Sequence, residues 1–240
     1  MKTQKSLINA GQAFAKIHLS ASKDALRPAM QYVQFSTLPA GPQGPAGLYA
    51  VATDAHTLFW LNVSETLSNP EILPADFYLH ADQYKKLTGS KVYLIACDQD
   101  QKTIRTMDKT GTTLDVLPYL DPVDMVNGPG KYPQWIAVLP TSTETQLTGG
   151  QIGFNPKFLG RAAQIMDAGP WMVSLRENNR PVIVQYANPE DNGTAQGLIM
   201  PIMLHDMEGK EVDRQNLNAK LAEAYEKAQE RKHEAEAMPE

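Results

Sequence analysis

The chain has 240 residues and a formal net charge of −5, long enough for one or two domains with a self-sufficient core. Cys97 is its single cysteine, which excludes an intramolecular disulfide and a thiolate zinc cluster and fits a reducing cytoplasm. No run approaches the ~20 apolar residues of a membrane span, and "MKTQKSLINAGQAFAKIHLS" lacks a signal-peptide core, so a soluble, cytoplasmic protein is expected.

In chain order, Leu7 to Ile17 reads as a helix, accompanied by Lys2, Lys5 and Lys16. "MQYVQF" is a strand and "STLPAGPQGPAG" an exposed Pro/Gly loop. "GLYAVATDAHTLFWLNV", residues 47 to 63, reads as a hairpin turning near Thr53 to His56, where an Asp bonds the backbone locally. Residues 77 to 120 then run "FYLHADQYKKL", "KVYLIAC", "KTIRTMD" and "TTLDVLPYL", a strand, a short helix and three strands. After a second exposed loop, "VDMVNGPGKYPQ", residues 152 to 204 repeat that order as "IGFNPKFLGRAAQIM", "WMVSLRE", "RPVIVQY" and "AQGLIMPIML", with Ala81 answering to Asn155. A looser copy formed by the opening helix, "AMQYVQF" and the hairpin precedes both.

Three βαβββ units on one chain make the fold class α+β, with repeated half-domains whose helices share one face of a continuous antiparallel sheet. The expected organisation is 1–140 as a complete domain of two halves (1–73 and 74–140), 141–205 as a further half, and 206–240 as a tail. In that tail composition shifts to Ala, Glu, Lys and Gln, and ten acidic against six basic residues leave it net −4. It reads as a helix with a narrow apolar stripe at Leu217, Leu221 and Tyr225.

No catalytic signature is present. The five histidines, His18, His56, His80, His205 and His233, show no metal-ligand spacing, and neither a nucleophile elbow nor a phosphate-cradling glycine loop occurs. Asp54 and His56 form a weak acid–base pair without a third member. The expectation is therefore no enzyme, no metal and no cofactor. Basic residues carry more information: Lys85 and Lys86 lie on the second helix, and Lys157 and Arg161 sit at i and i+4 of the third. With Lys16 from the first helix they would form a stripe facing double-stranded DNA without reading its sequence, or else ordinary solvated helix faces.

Three segments resemble those of one family in the right order. "YAVATDAHTLFWL" resembles the Val-Ala-Thr-Asp-Gly-His-Arg-Leu segment of the bacterial DNA polymerase III β subunit, the DNA sliding clamp. "KYPQWIAVLP", residues 131 to 140, is similar to its Phe-Pro-x-Tyr-x-x-Val-Leu-Pro, and "GLIMPIML", residues 197 to 204, to its Val-Met-Pro-Met-Arg-Leu. "IGFNPKFL" is similar to the strand-to-helix entry of that family's last half-domain, and the resemblance covers roughly Ala15 to Leu204.

The resemblance implies a hydrophobic cleft that takes linear peptides of a polymerase, clamp loader or repair protein. Its walls would be Thr53, Ala55, His56, Thr57 and Leu58, then Pro133, Ala137 and Val138, then Met200, Pro201, Ile202 and Met203. Departures accompany it: the family's Gly is Ala55 here, and three of its arginines are Thr57, Ala137 and Met203. The family has six half-domains where this chain has three, so a ring of twelve would take four chains, while a monomer or an open dimer is equally compatible. The function implied is a clamp-like DNA replication or repair accessory protein that forms homo-oligomers. The alternative is a peptide-capture module of the same fold that binds no DNA and redirects or inhibits a replisome.

Overall fold

The β-branched and aromatic runs of the sequence become ten strands in a computed structural model that describes residues 14–67, 70–139, 155–166, 171–174, 181–186 and 195–200. In the first copy, β1 (Tyr32–Leu38), β2 (Gly47–Thr53) and β3 (Thr57–Asn62) form a meander, followed by one helical turn, α1 (Val63–Thr66). The second copy comprises β4 (Asp76–His80), α2 (Ala81–Leu87), β5 (Leu94–Asp98), β6 (Thr103–Met107) and β7 (Thr113–Pro118). A short helix, α3 (Pro122–Asn127), leads to a 3-10 turn at Trp135–Val138. The third copy comprises α4 (Pro156–Ile165), β8 (Trp171–Ser174), β9 (Val182–Tyr186) and β10 (Ala195–Ile199).

The helix starts are written locally. Asn62, His80, Asp121 and Asn155 each accept a backbone N–H of the first turn, satisfying one of the donors every helix leaves unpaired. Pro122 and Pro156 occupy the first turn, where a missing N–H does no harm. Because His80 and Asn155 play the same capping role, Asn155 answers to His80, one residue earlier than the alignment with Ala81.

The expected α+β fold of antiparallel half-domains is present, with the strands divided between two sheets. The larger has seven strands in the order β4-β1-β2-β3-β10-β9-β8, and the smaller is β5-β6-β7. The division follows from one exchange: β4, the first strand of the second copy, pairs with β1 of the first, Phe77 opposite Phe35. The two rings stack with centroids 4.2 Å apart. The first and third copies join where β3 meets β10, Leu58 opposite Leu198 and Phe59 opposite Gly197.

Both faces of the large sheet are buried, which is why every residue of β3 is buried despite its alternation. On the helix side, Phe35, Ala50, Phe59, Leu61 and Ile199 pack with Ile17, Tyr84, Leu87, Ala162 and Ile165. The 3-10 turn Ile17–Ser20 touches both α2 and α4, so the helical pieces of all three copies lie side by side. Of the helix expected over Leu7 to Ile17, only Phe14 to Ile17 fall within the described residues.

The opposite face is covered by a segment expected to be an exposed loop, and here the expectation is corrected. "VDMVNGPGKYPQ" contains most of α3, and Met125, Tyr132 and Trp135 pack with Tyr49, Val51, Leu58, Trp60 and Leu198. Tyr132 Oη donates to Val51 O at 3.1 Å, pinning the segment to β2. The other Pro/Gly loop is likewise partly interior: Gln43 is buried, its carbonyl accepts Trp60 Nε1 at 3.1 Å, and its amide donates to Pro39 O. Burying two indole rings and a phenol outweighs the loop-forming chemistry of the glycines and prolines around them. The tail 206–240, with its expected helix, lies outside the described residues.

Candidate functional site

The Thr-Asp-Ala-His cluster is the tip of the β2–β3 hairpin. Asp54 N donates to Thr57 O at 3.2 Å, closing a two-residue loop of Ala55 and His56. Ala55 sits at φ 73°, in the left-handed region, where a hairpin of this kind normally places glycine. A Cβ in that region costs about 1–2 kcal/mol, against about 0.5–1 kcal/mol for the extra chain entropy of glycine. Ala55→Gly is therefore expected to stabilise the protein by roughly 0.5 kcal/mol, raising Tm by about 1–2 °C at this size. A thermal melt of the variant checks it.

Asp54 organises the tip. Its Oδ1 accepts the backbone N–H groups of His56 (3.0 Å) and Thr57 (2.7 Å) and the Thr57 hydroxyl (3.0 Å), while Oδ2 is ion-paired with Arg161 of α4. Burial pushes the carboxyl up, but the Arg161 and Thr57 hydrogen bonds, the Arg161 charge and the His56 N–H together hold it below the usual carboxylate range. Arg161 also donates to Thr57 Oγ1 at 2.8 Å, and that hydroxyl is 3.1 Å from Ser20 Oγ. The His56 ring stacks on Phe158 with centroids 5.6 Å apart, and the Arg161 guanidinium lies over the same phenyl ring. The tip thus clamps the first copy to the helix of the third.

The residues expected to wall one cleft lie on different sides of the sheet. Thr53 and Leu58 are paired across β2 and β3. Leu58 packs in the outer core beside Leu198 and Leu139. Met200, two residues beyond Leu198 on that face by strand alternation, is 40% exposed and donates its N–H to His56 O at 2.9 Å. Val138, next to Leu139, is 56% exposed. Thr57 and His56, by contrast, engage the helix side through Ser20, Arg161 and Phe158, and Ala55 is consumed by the turn. Pro133 and Ala137 line another groove, of about 470 Å³, with Gln34, Ser36, Tyr78, Met125, Val126 and Ile136. Pro201, Ile202 and Met203 lie outside the described residues.

On the helix side, a groove of about 780 Å³ runs across the three copies. Lys85, Lys157 and Arg161 line it together, joined by Lys23, His18 and His80, with Asp82 as the acid among them. Lys23 escaped sequence reasoning because it precedes the first strand in a segment with no helical period. Burial, then the nearby Lys85 charge, lowers His18 to about 4, so at neutral pH the imidazole adds no charge and the lysines supply the field. Lys86 is turned away to pair with Asp115 at 3.0 Å, and the exposed Lys16 is not part of the lining. Among the described residues no group of three His, Cys, Asp or Glu side chains is placed to hold a metal, and no helix is long and apolar enough to cross a membrane.

No protein-family model and no curated protein sequence matches this chain. Solved structures do. The beta subunit of DNA polymerase from Streptococcus pyogenes is similar with a TM-score of 0.53 at 14% identity, covering 84% of this chain and 68% of that one. The DNA polymerase III beta chain of Streptococcus pneumoniae gives 0.57 at 15%, covering 84% and 66%. The Helicobacter pylori beta clamp gives 0.58 at 13%, covering 83% and 65%. The chain therefore has the sliding-clamp fold and spans about two thirds of the length of these clamps.

Proposed function

We propose that this chain is a non-enzymatic, reduced sliding clamp: an accessory protein of DNA replication or repair that holds a partner's linear peptide on one face of its large sheet and rests double-stranded DNA against the other. The observation that carries the reading is the groove that Lys23 of the first copy, Lys85 of the second and Lys157 of the third line together. Phosphates are attracted to such a row without base readout. On the other side, Val138 and Met200 are exposed apolar side chains that adjoin in sequence the outer-core Leu139 and the strand ending in Ile199, and an adaptable thioether suits a short hydrophobic peptide. Domain boundaries at 140 and 205 follow from the same reading, with two halves before the first boundary and one after it.

Two titrations test it. Fluorescence anisotropy of a labelled Gln-Leu-x-Leu-Phe-type peptide should show saturable binding, weakened about tenfold by Met200→Ala, the loss of about 1.4 kcal/mol of buried thioether contact. A labelled DNA duplex should bind with a salt dependence whose slope falls by roughly 2 in the Lys85→Gln/Lys157→Gln double variant. Binding of neither probe, or binding indifferent to these substitutions, overturns the reading. Lys86 and Arg161 are left out of the DNA test because both are committed to carboxylates.

A further inference from the structure

Leu26 is 90% exposed, well beyond any other large apolar side chain among the described residues, the next being Val123 at 66%. A leucine on the surface is ordinary, but this one is held out by a loop built around it. Asp24 to Arg27 make a turn closed by Arg27 N donating to Asp24 O at 3.0 Å. Asp24 Oδ1 accepts Leu26 N at 2.9 Å, Gln31 Nε2 donates to Asp24 O at 3.2 Å, and Asp24 N donates to Ser22 Oγ at 3.1 Å. Below the turn, Ser22 N donates to Met30 O at 2.9 Å, and Pro28 fixes the backbone where the chain enters a 3-10 turn.

The same loop is part of the basic groove. Ser22, Lys23 and Gln31, from its two stems, line the groove with Lys85 and Lys157. The acid of the turn is compensated: Asp24 Oδ2 lies 3.7 Å from Arg27 Nε, and Arg27 Nη1 donates in turn to Asp54 O at 3.1 Å, bracing the loop against the hairpin tip. Leu26 therefore tops a braced loop whose stems carry and adjoin the cations of the groove, and its side chain is left to solvent.

We propose that Leu26 is a wedge that enters between adjacent base pairs of the duplex held along the groove, giving the protein a preference for mismatched or poorly stacked steps. This rests on the DNA reading given above. An aliphatic side chain has no donor or acceptor with which to tell bases apart. Wedged between them it exchanges water for base faces, at the cost of unstacking that step. The cost is smallest where stacking is already weak, so a phosphate grip that ignores sequence gains a preference for distorted sites. The lysines supply the hold and the leucine the choice of position.

Anisotropy on the full chain compares labelled duplexes of one sequence, fully paired or with a central mismatch flanked by a fluorescent aminopurine. The wild type should bind the mismatched duplex roughly tenfold more tightly, the mismatch having already met part of the unstacking cost, with aminopurine fluorescence rising as the step opens. In Leu26→Ser the preference should fall to within about twofold and the rise should disappear, while the salt slope on the paired duplex, set by the lysines, is unchanged. Leu26→Phe, which keeps an apolar wedge, should retain both signals. Lys85→Gln/Lys157→Gln should weaken binding of both duplexes alike. Equal binding of the two duplexes by the wild type, or a preference that survives Leu26→Ser, overturns the inference and leaves the DNA reading standing. Binding of neither duplex overturns both.

Discussion

Gly197→Val is expected to unfasten the third copy from the first. Gly197 sits on β10 directly opposite Phe59 of β3, and a Cβ built there would stand 2.6 Å from Cδ1 and 2.7 Å from Cζ of the phenyl ring. Phe59 has nowhere to go: it is fully buried among Ala52, Leu61, Ala195 and Ile199. Overpacking a site of this kind costs about 1–3 kcal/mol, and the branched valine belongs at the upper end. The same crowding explains why a glycine, which weakens a strand interior by about 0.5–1 kcal/mol, is found at the centre of a junction. Phe59→Ala alone should cost about 3–5 kcal/mol through the cavity it leaves, and Gly197→Val placed in that cavity should then cost little or recover part of the loss. Urea unfolding of the two single variants and the double variant measures the coupling, expected to exceed about 1 kcal/mol. Additive effects would mean that the ring and the glycine do not share the space.

The hairpin and the repeat were legible because both rest on local patterns: an Asp at a two-residue turn, apolar runs cut by turn residues, and proline-interrupted last strands in two copies. What escaped was long-range. Residues 123–134 carry the Gly, Pro and Asn of an exposed loop, yet Tyr132 and, just after it, Trp135 are part of the cover of the outer face, because a sheet flanked by one helix layer still has a second apolar face to hide. The charges of α4 divide for a similar reason. Lys157 and Arg161 share a helix face, as their spacing predicts, but one turn of separation leaves the first in the open groove and brings the second to the hairpin tip. No local signal marks Asp54 as the partner of a residue 107 positions away. Likewise the cleft walls inferred from resemblance divide at Thr57, since neighbouring strand residues point to opposite faces and a motif read as a string does not say which.

Asp54 and Arg161 are both more than half covered and share the Thr57 hydroxyl, so removing one leaves the other with a cost of desolvation and no partner. Arg161→Met should destabilise the protein by about 2–4 kcal/mol, below the top of the range for a fully buried pair because Arg161 keeps some solvent. Asp54→Asn should cost a similar amount, and the double variant clearly less than the sum, the mark of a shared interaction. The pH dependence separates this from simple loss of packing. Asp54 is held below its ordinary value in the folded chain, so the pair's contribution is present above about pH 4 and is lost as pH falls through the folded-state value. In Arg161→Met the largest downward influence on that carboxyl is gone, so its folded-state value moves back toward the unfolded one and this part of the acid limb should flatten; in Asp54→Asn it should vanish. Duplex DNA binding supplies the last discrimination. If Arg161 holds the junction and does not face phosphate, then under conditions where the variant is folded Arg161→Met leaves the salt slope of binding unchanged, while Lys157→Gln lowers it by about 1.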